Sequence, residues 1–281
     1  MMNAFVFSGG ANLGSIQAGM AQALLEAGIR PDILVGTSIG AANAAVLAGD
    51  PTPEGGARLV EMWSEAKGKH IFPIRPTKLV RQLLGKGALF SPGPFARFVE
   101  AGLSYAAIED ALVPLRIVAT RFDDGAEHVF EAGPVMDAVL ASTALPLIYP
   151  AHDVTGTLYL DGGLSNNVPL QPALAAGADT IYVLSVGFPC PPPEIKRSAR
   201  SILMHSLGIL LSQRIRADEG HLPVHYPGVR IVQVPPVCTQ AGLRDLSRGA
   251  VLAARARRQT TRFLLGDECP ACEHRTPRIP A

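Results

Sequence analysis

The sequence has no apolar run long enough to cross a bilayer. Its best candidate, ILMHSLGILL at 202–211, is broken by His205, Ser206 and Gly208 and falls well short of the roughly 20 residues that a transmembrane helix needs. No leader is expected from the first residues: MMNAFVFSGG has no basic stretch, apolar core or cleavage signal, and reads as a strand beginning almost at once. A cytoplasmic protein, with peripheral membrane contact at most, is the expectation. Cysteine is scarce: four residues, at 190, 238, 269 and 272, are too few for a disulfide scaffold in a chain of 281. Cys269 and Cys272 form one C-x-x-C beside His274, and no second pair stands at a matching spacing. No metal site is therefore expected; an exposed polar tail is the plainer reading, with a zinc knuckle or a redox pair as alternatives. Excess charge is missing too. Against 25 Lys and Arg stand 24 Asp and Glu, a net charge of +1, which gives no global attraction to nucleic acid and leaves any pull to local patches.

What is present is apolar and regular. Hydrophobic residues make up 48% of the chain and charged ones 17%, the composition of a globular protein with a large core. The pattern alternates. Runs at 4–9, 32–36, 115–122, 127–133, 157–163, 180–186 and 229–234 read as strands, and stretches at 13–28, 41–49, 134–143, about 198–217 and 245–265 as helices. Apolar strands separated by helices imply one α/β domain, with a mostly parallel sheet covered on both faces and its chemistry at the carboxyl ends of the strands. Residues 66–99 contain no Asp or Glu but carry seven Lys and Arg interleaved with Phe72, Phe90, Phe95 and Phe98. The segment suits amphipathic helices with solvated charges; contact with anionic lipid headgroups is the sharper alternative. The helix at 199–217 has a broad Leu face suited to core packing, or to an acyl-binding wall.

Three short stretches carry chemistry. GTSIG at 36–40 is a G-x-S-x-G at a strand-to-helix junction, where flanking glycines let the chain turn sharply and hold a serine hydroxyl at the tip. Ser38 is there either as a nucleophile or as a tight-turn serine. A hydroxyl needs a base. None of the seven His sits in a setting typical of a Ser-His-Asp hydrolase, and His152 is the nearest of them. Asp161, in YLDGGLSNNVP, ends an apolar strand before two glycines and is better placed, although a plain turn would also explain it. Between the first strand and the first helix, FSGGANLGS (7–15) is a glycine-bearing loop able to cradle a phosphate or stabilise an oxyanion; it lacks the spacing of a dinucleotide fingerprint and the Lys of a P-loop.

In this order, the glycine-bearing first loop, G-x-S-x-G, ASTALP (141–146) and DGG followed by NNVP resemble the patatin-like phospholipases. The resemblance implies a three-layer α/β/α sandwich with a central, mostly parallel sheet over residues 1–266, followed by a flexible tail at 267–281. It implies a Ser-Asp dyad, with Ser38 as nucleophile and Asp161 as base, an oxyanion hole from Gly9, Gly10 and Ala11, and a nucleophile elbow shaped by Gly36 and Gly40. The implied activity is hydrolysis of fatty-acyl esters of phospholipid or lysophospholipid through an acyl-serine, with no cofactor and no metal. Ser142 and the ASTALP loop are expected to pack behind the site, and Asn166 and Asn167 to brace the Asp161 turn. Two positions depart from the family pattern: Ala11 stands where a third glycine is usual and Leu13 where a cation is usual. A catalytically weak or inactive lipid-binding protein is the alternative they raise. No motif speaks to oligomeric state.

Overall fold

Alternation along the first strand decides the layering. In β1 (Asn3–Phe7), Phe5 and Phe7 join a core cluster with Ile16, Leu24 and Trp63, whereas Ala4 and Val6 join Val168, Leu170 and Ala173, because successive strand side chains leave on opposite faces. The computed structural model describes residues 1–71, 88–186, 228–239 and 245–266, together with Ile202 and Ser206. The helices that position the site are α1 (Gly14–Glu26), α2 (Ile39–Ala48), α3 (Pro53–Glu65), α4 (Gly93–Glu100), α5 (Val135–Ser142), α6 (Leu170–Ala175) and α7 (Gly249–Leu264). All but α6 contribute to the first cluster; α6 covers the second. Helix α2 is buried along almost its whole length, and its run of Ala and Gly is what allows it to be packed on every side. Helix α3 was not among the expected elements, although its start is signalled: Thr52 caps it by accepting the Gly55 N–H at 3.1 Å, with Pro53 at the first helical position.

The sheet also contains β2 (Ile33–Thr37), β3 (Leu115–Arg121), β4 (Glu127–Phe130), β5 (His152–Val154), β6 (Thr157–Asp161), β7 (Thr180–Leu184) and β8 (Arg230–Gln233). Its body is five parallel strands in the order β3-β2-β1-β7-β8, as expected of a mostly parallel sheet, and the mixed character comes from antiparallel pairings of β3 with β4, β3 with β6 and β5 with β6. Residues Ile117 and Val118 of β3 pair with both β2 and β4, and Ala119 and Thr120 pair with both β4 and β6. A strand has two edges, so β2 and β6 share the edge opposite β4 and approach each other along it from opposite directions.

In the acid-free segment, the described aromatics point inward. Phe90 and Phe95 are buried, and Phe98 packs edge-on against Trp63 with 5.2 Å between ring centroids. Residues 72–87, the expected helix at 199–217 apart from Ile202 and Ser206, the Pro-rich stretch at 189–194 and the C-x-x-C tail lie outside the described residues. Cys238 is disulfide-bonded. Among the described residues no helix is long and apolar enough to cross a membrane.

Candidate active site

Ser38 sits at the tip of the turn between β2 and α2 with φ 55° and ψ −126°, a backbone conformation that a side-chain-bearing residue holds only under strain. The flanking glycines permit it. A Cβ on Gly40 would fall on the carbonyl oxygens of Phe7 and Ser8, and one on Gly36 would lie 2.5 Å from the Gly40 carbonyl oxygen; strand, turn and helix approach too closely for any side chain there. The turn is further held from behind. Ser142, fully buried at the end of α5, accepts the Ser38 N–H at 2.8 Å and donates its own hydroxyl to the Val118 carbonyl at 2.5 Å.

Thr37, the last residue of β2, is in register with Val118, and Asp161, the last of β6, with the next residue, Ala119. The residue after Thr37 is thereby brought against Asp161: the Ser38 Oγ donates to Asp161 Oδ2 at 2.6 Å. The other carboxylate oxygen accepts the Gly163 N–H at 2.8 Å. Asp161 is only 3% exposed. Burial pushes its pKa up to about 6 from the ordinary 3.8, and the hydrogen bonds from Ser38 and Gly163 partly counter that rise, since a carboxylate loses hydration on burial and regains part of the loss from donors. The turn after Asp161 is braced by its neighbours. Thr120 Oγ1 donates to the Asp161 carbonyl at 2.9 Å, Thr37 Oγ1 donates to the Asn166 carbonyl at 2.9 Å, and Asn166 Nδ2 donates to Glu127 at 3.1 Å.

The loop between β1 and α1 closes the site on the third side. Gly9, expected to share in an oxyanion hole, has its N–H committed to the Asn167 carbonyl at 3.0 Å. Among the described residues, nothing accepts the N–H of Gly10 or of Ala11, and the two stand at the start of α1 where the helix adds positive potential. Ala11 has φ 52°, so the position that departs from glycine is one where a left-handed backbone is required. Asn12 ties the loop to the segment before α7 through Nδ2 to the Asp245 carbonyl at 3.1 Å. Leu13 is half-buried at the cap of α1.

His152 lies on the edge strand β5, its Nε2 3.3 Å from Asp137 Oδ1, and no hydrogen bond joins it to Ser38. Among the described residues no cluster of three or more His, Cys, Asp or Glu is grouped to hold a metal ion. Sequence reasoning did not single out Gln17, Asn43 and Trp63, which form a buried hydrogen-bonded chain beneath the first loop. The available signal was one lone amide in each of two otherwise apolar helical runs, IQAGM and AANAAV, since a buried polar side chain needs a partner.

A protein-family model described as "Patatin-like phospholipase" matches residues 5–174, more than half of the chain. Among curated proteins, the chain is 29% identical over 189 residues to the human "Patatin-like phospholipase domain-containing protein 6", a match covering 66% of this chain and 13% of that protein. To "Lysophospholipase nte1" of Aspergillus terreus it is 32% identical over 191 residues, covering 65% of this chain and 12% of the relative. The chain thus corresponds to about an eighth of the length of these curated relatives. Among solved structures, VipD from Legionella pneumophila aligns with a TM-score of 0.49 at 15% identity over 94% of this chain and 67% of that chain. Human GIVD cytosolic phospholipase A2, solved in complex with methyl gamma-linolenyl fluorophosphonate, aligns with a TM-score of 0.45 at 12% identity over 94% and 58%.

Proposed function

This chain belongs to the patatin-like phospholipase family, and we propose that it is a serine lipid acyl hydrolase working through a Ser38-Asp161 dyad. The observation that carries the reading is the 2.6 Å hydrogen bond from Ser38 Oγ to Asp161 Oδ2, beside two amides that no protein acceptor claims among the described residues. Asp161 takes the Ser38 proton as the oxygen attacks the ester carbonyl carbon, and the N–H groups of Gly10 and Ala11 receive the negative charge that develops on the carbonyl oxygen. Collapse of the tetrahedral species breaks the bond to the alcohol portion, which leaves with the proton held by Asp161. Water then loses a proton to Asp161 and attacks the acyl carbon; the bond to Ser38 Oγ breaks, the fatty acid leaves, and Asp161 returns the proton to Oγ. The proposed substrates are phospholipids or lysophospholipids, met at a membrane or micelle surface.

A base with a pKa of about 6 is closer to neutrality than an ordinary Asp, which brings it nearer the optimum for proton transfer at physiological pH. Gly9 is assigned to the close approach of the loop to Asn167, not to charge stabilisation. The test is labelling with a serine-directed fluorophosphonate, with the adduct located by mass spectrometry, alongside ester turnover in wild type, Ser38→Ala and Asp161→Asn. An adduct on Ser38 and turnover that both variants lose would support the dyad. Full activity in a folded Ser38→Ala or Asp161→Asn protein would sink it.

A further inference from the structure

We propose that the buried chain Trp63, Asn43 and Gln17 is a positioning device that aims the amides of Gly10 and Ala11; the proposal rests on the hydrolase reading above. The three side chains are at most 2% exposed and use every hydrogen-bonding group they carry. Trp63 Nε1 donates to Asn43 Oδ1 at 2.7 Å. Asn43 Nδ2 donates to Gln17 Oε1 at 2.9 Å and to the Gly14 carbonyl at 3.0 Å. Gln17 Nε2 donates to the Ser8 carbonyl at 2.7 Å and to the Leu184 carbonyl at 3.0 Å. Only one arrangement satisfies all of these. An indole N–H only donates and a main-chain carbonyl only accepts, so Trp63 at one end and the carbonyls at the other set which way both amides face.

The outcome is read in the loop. Ser8 and Leu184 stand at or just past the ends of β1 and β7, and Gln17 donates to both of their carbonyls, that of Leu184 also accepting the Ser8 N–H at 3.3 Å. A trans peptide carries its C=O and N–H in opposite directions. Drawing the Ser8 carbonyl toward Gln17 therefore turns the Gly9 N–H away, onto the Asn167 carbonyl at 3.0 Å. The next two planes are pinned in the same manner. The Gly9 carbonyl accepts the Ser8 hydroxyl at 3.0 Å, and the Gly10 carbonyl accepts the Leu13 N–H at 3.0 Å, which fixes the N–H directions of Gly10 and Ala11. The first plane is the reference for the other two, and it is the one the side-chain network holds. An apolar core at these three positions would avoid desolvating two amides and an indole N–H, but it would leave that plane held only at its Gly9 N–H, on the Asn167 carbonyl.

The test uses Trp63→Phe, which deletes the indole donor but keeps an aromatic ring beside Phe98, and Gln17→Met, which keeps length and removes both amide groups. For each folded variant three quantities are measured: the final fraction of protein labelled by the fluorophosphonate, the rate of labelling, and kcat and KM on a soluble short-chain ester. Positioning predicts complete final labelling, KM within about twofold of wild type, and labelling rate and kcat lowered on the order of tenfold or more. The acid limb of the pH profile stays in place, because Asp161 is untouched. Lower thermal stability with kcat per labelled serine unchanged would overturn the proposal and leave the chain a purely structural network. Should Gln17→Met fail to fold, Trp63→Phe decides. A folded wild type that neither labels nor turns over would overturn the hydrolase reading and this proposal with it, whereas an active wild type with unaffected variants would overturn the positioning role alone.

Discussion

Thr37 and Asp161 stand at consecutive stations along one edge of β3, Thr37 opposite Val118 and Asp161 opposite Ala119. Two strands running in opposite directions end head to head there. The meeting of Ser38 with Asp161 is thus set by backbone pairing, and the side chains only complete a contact that the sheet has arranged. This explains why Ser142 matters, since its hydroxyl links the Val118 carbonyl on β3 to the Ser38 N–H and so locks the turn to the same strand.

Activity should fall on the acid side with an apparent pKa near 6. In the proposed dyad Asp161 accepts a proton only when ionised, and burial holds its pKa at about 6, so that base would be available above that pH and lost as pH falls through it. A profile of kcat/KM across about pH 5 to 8 reports the free protein's essential groups. An acid limb near the ordinary value of 3.8 would mean that the base is more hydrated than its burial implies.

The same group should weaken the fold at neutral pH. Its folded pKa, about 6, lies above the ordinary 3.8, so its stabilising contribution is complete below the ordinary value and disappears as pH rises through about 6. The gap of roughly two pKa units corresponds to about 3 kcal/mol held against the ionised form. Asp161→Asn keeps an acceptor for Gly163 without the charge. It should unfold at higher urea than wild type at about pH 8, and the advantage should shrink toward about pH 4. An advantage that is instead largest in acid would reverse the assignment.

Ala11→Gly should stabilise the protein. Ala11 holds φ 52°, a conformation that costs a residue with a Cβ about 1 kcal/mol or more relative to glycine. Urea denaturation should register most of that gain, with turnover equal to or above wild type, and Ala11→Val should lose stability because a β-branched residue is poorer still at positive φ. A stability loss in Ala11→Gly would mean that the Cβ makes a contact worth more than the strain.

Ser142→Ala should lose both stability and kcat. It leaves a buried N–H and a buried carbonyl without partners, at a cost of about 2 kcal/mol, and frees the Ser38 turn to relax. Substrate binding should change little, so KM should hold while kcat falls. Equal kcat in the folded variant would show that the glycines alone suffice to hold the elbow.

The local motifs were legible because each depends on a contiguous stretch. Gly36 and Gly40 declare a close-packed turn, the apolar run before Ser38 declares the strand, and DGG after an apolar run declares another strand end. The Ser-Asp pairing itself came from resemblance to a family, because the two residues are 123 positions apart and nothing local joins them. Helix α3 is signalled in the sequence by its Thr52-Pro53 start.

Sequence alone determined the covalent menu: a serine at a strand-helix turn, an aspartate at a strand end and a glycine-bearing loop, each specified by steric rules that act over a few residues. Only the tertiary structure decided that Gly9 is occupied by Asn167, that Gln17 reaches the Ser8 carbonyl, and that Asp161 is buried deeply enough to titrate near 6. Those outcomes depend on strand register and on side chains arriving from distant segments. Hydrogen-bond partnership and hydration are properties of that assembled neighbourhood, which no short stretch of chain contains.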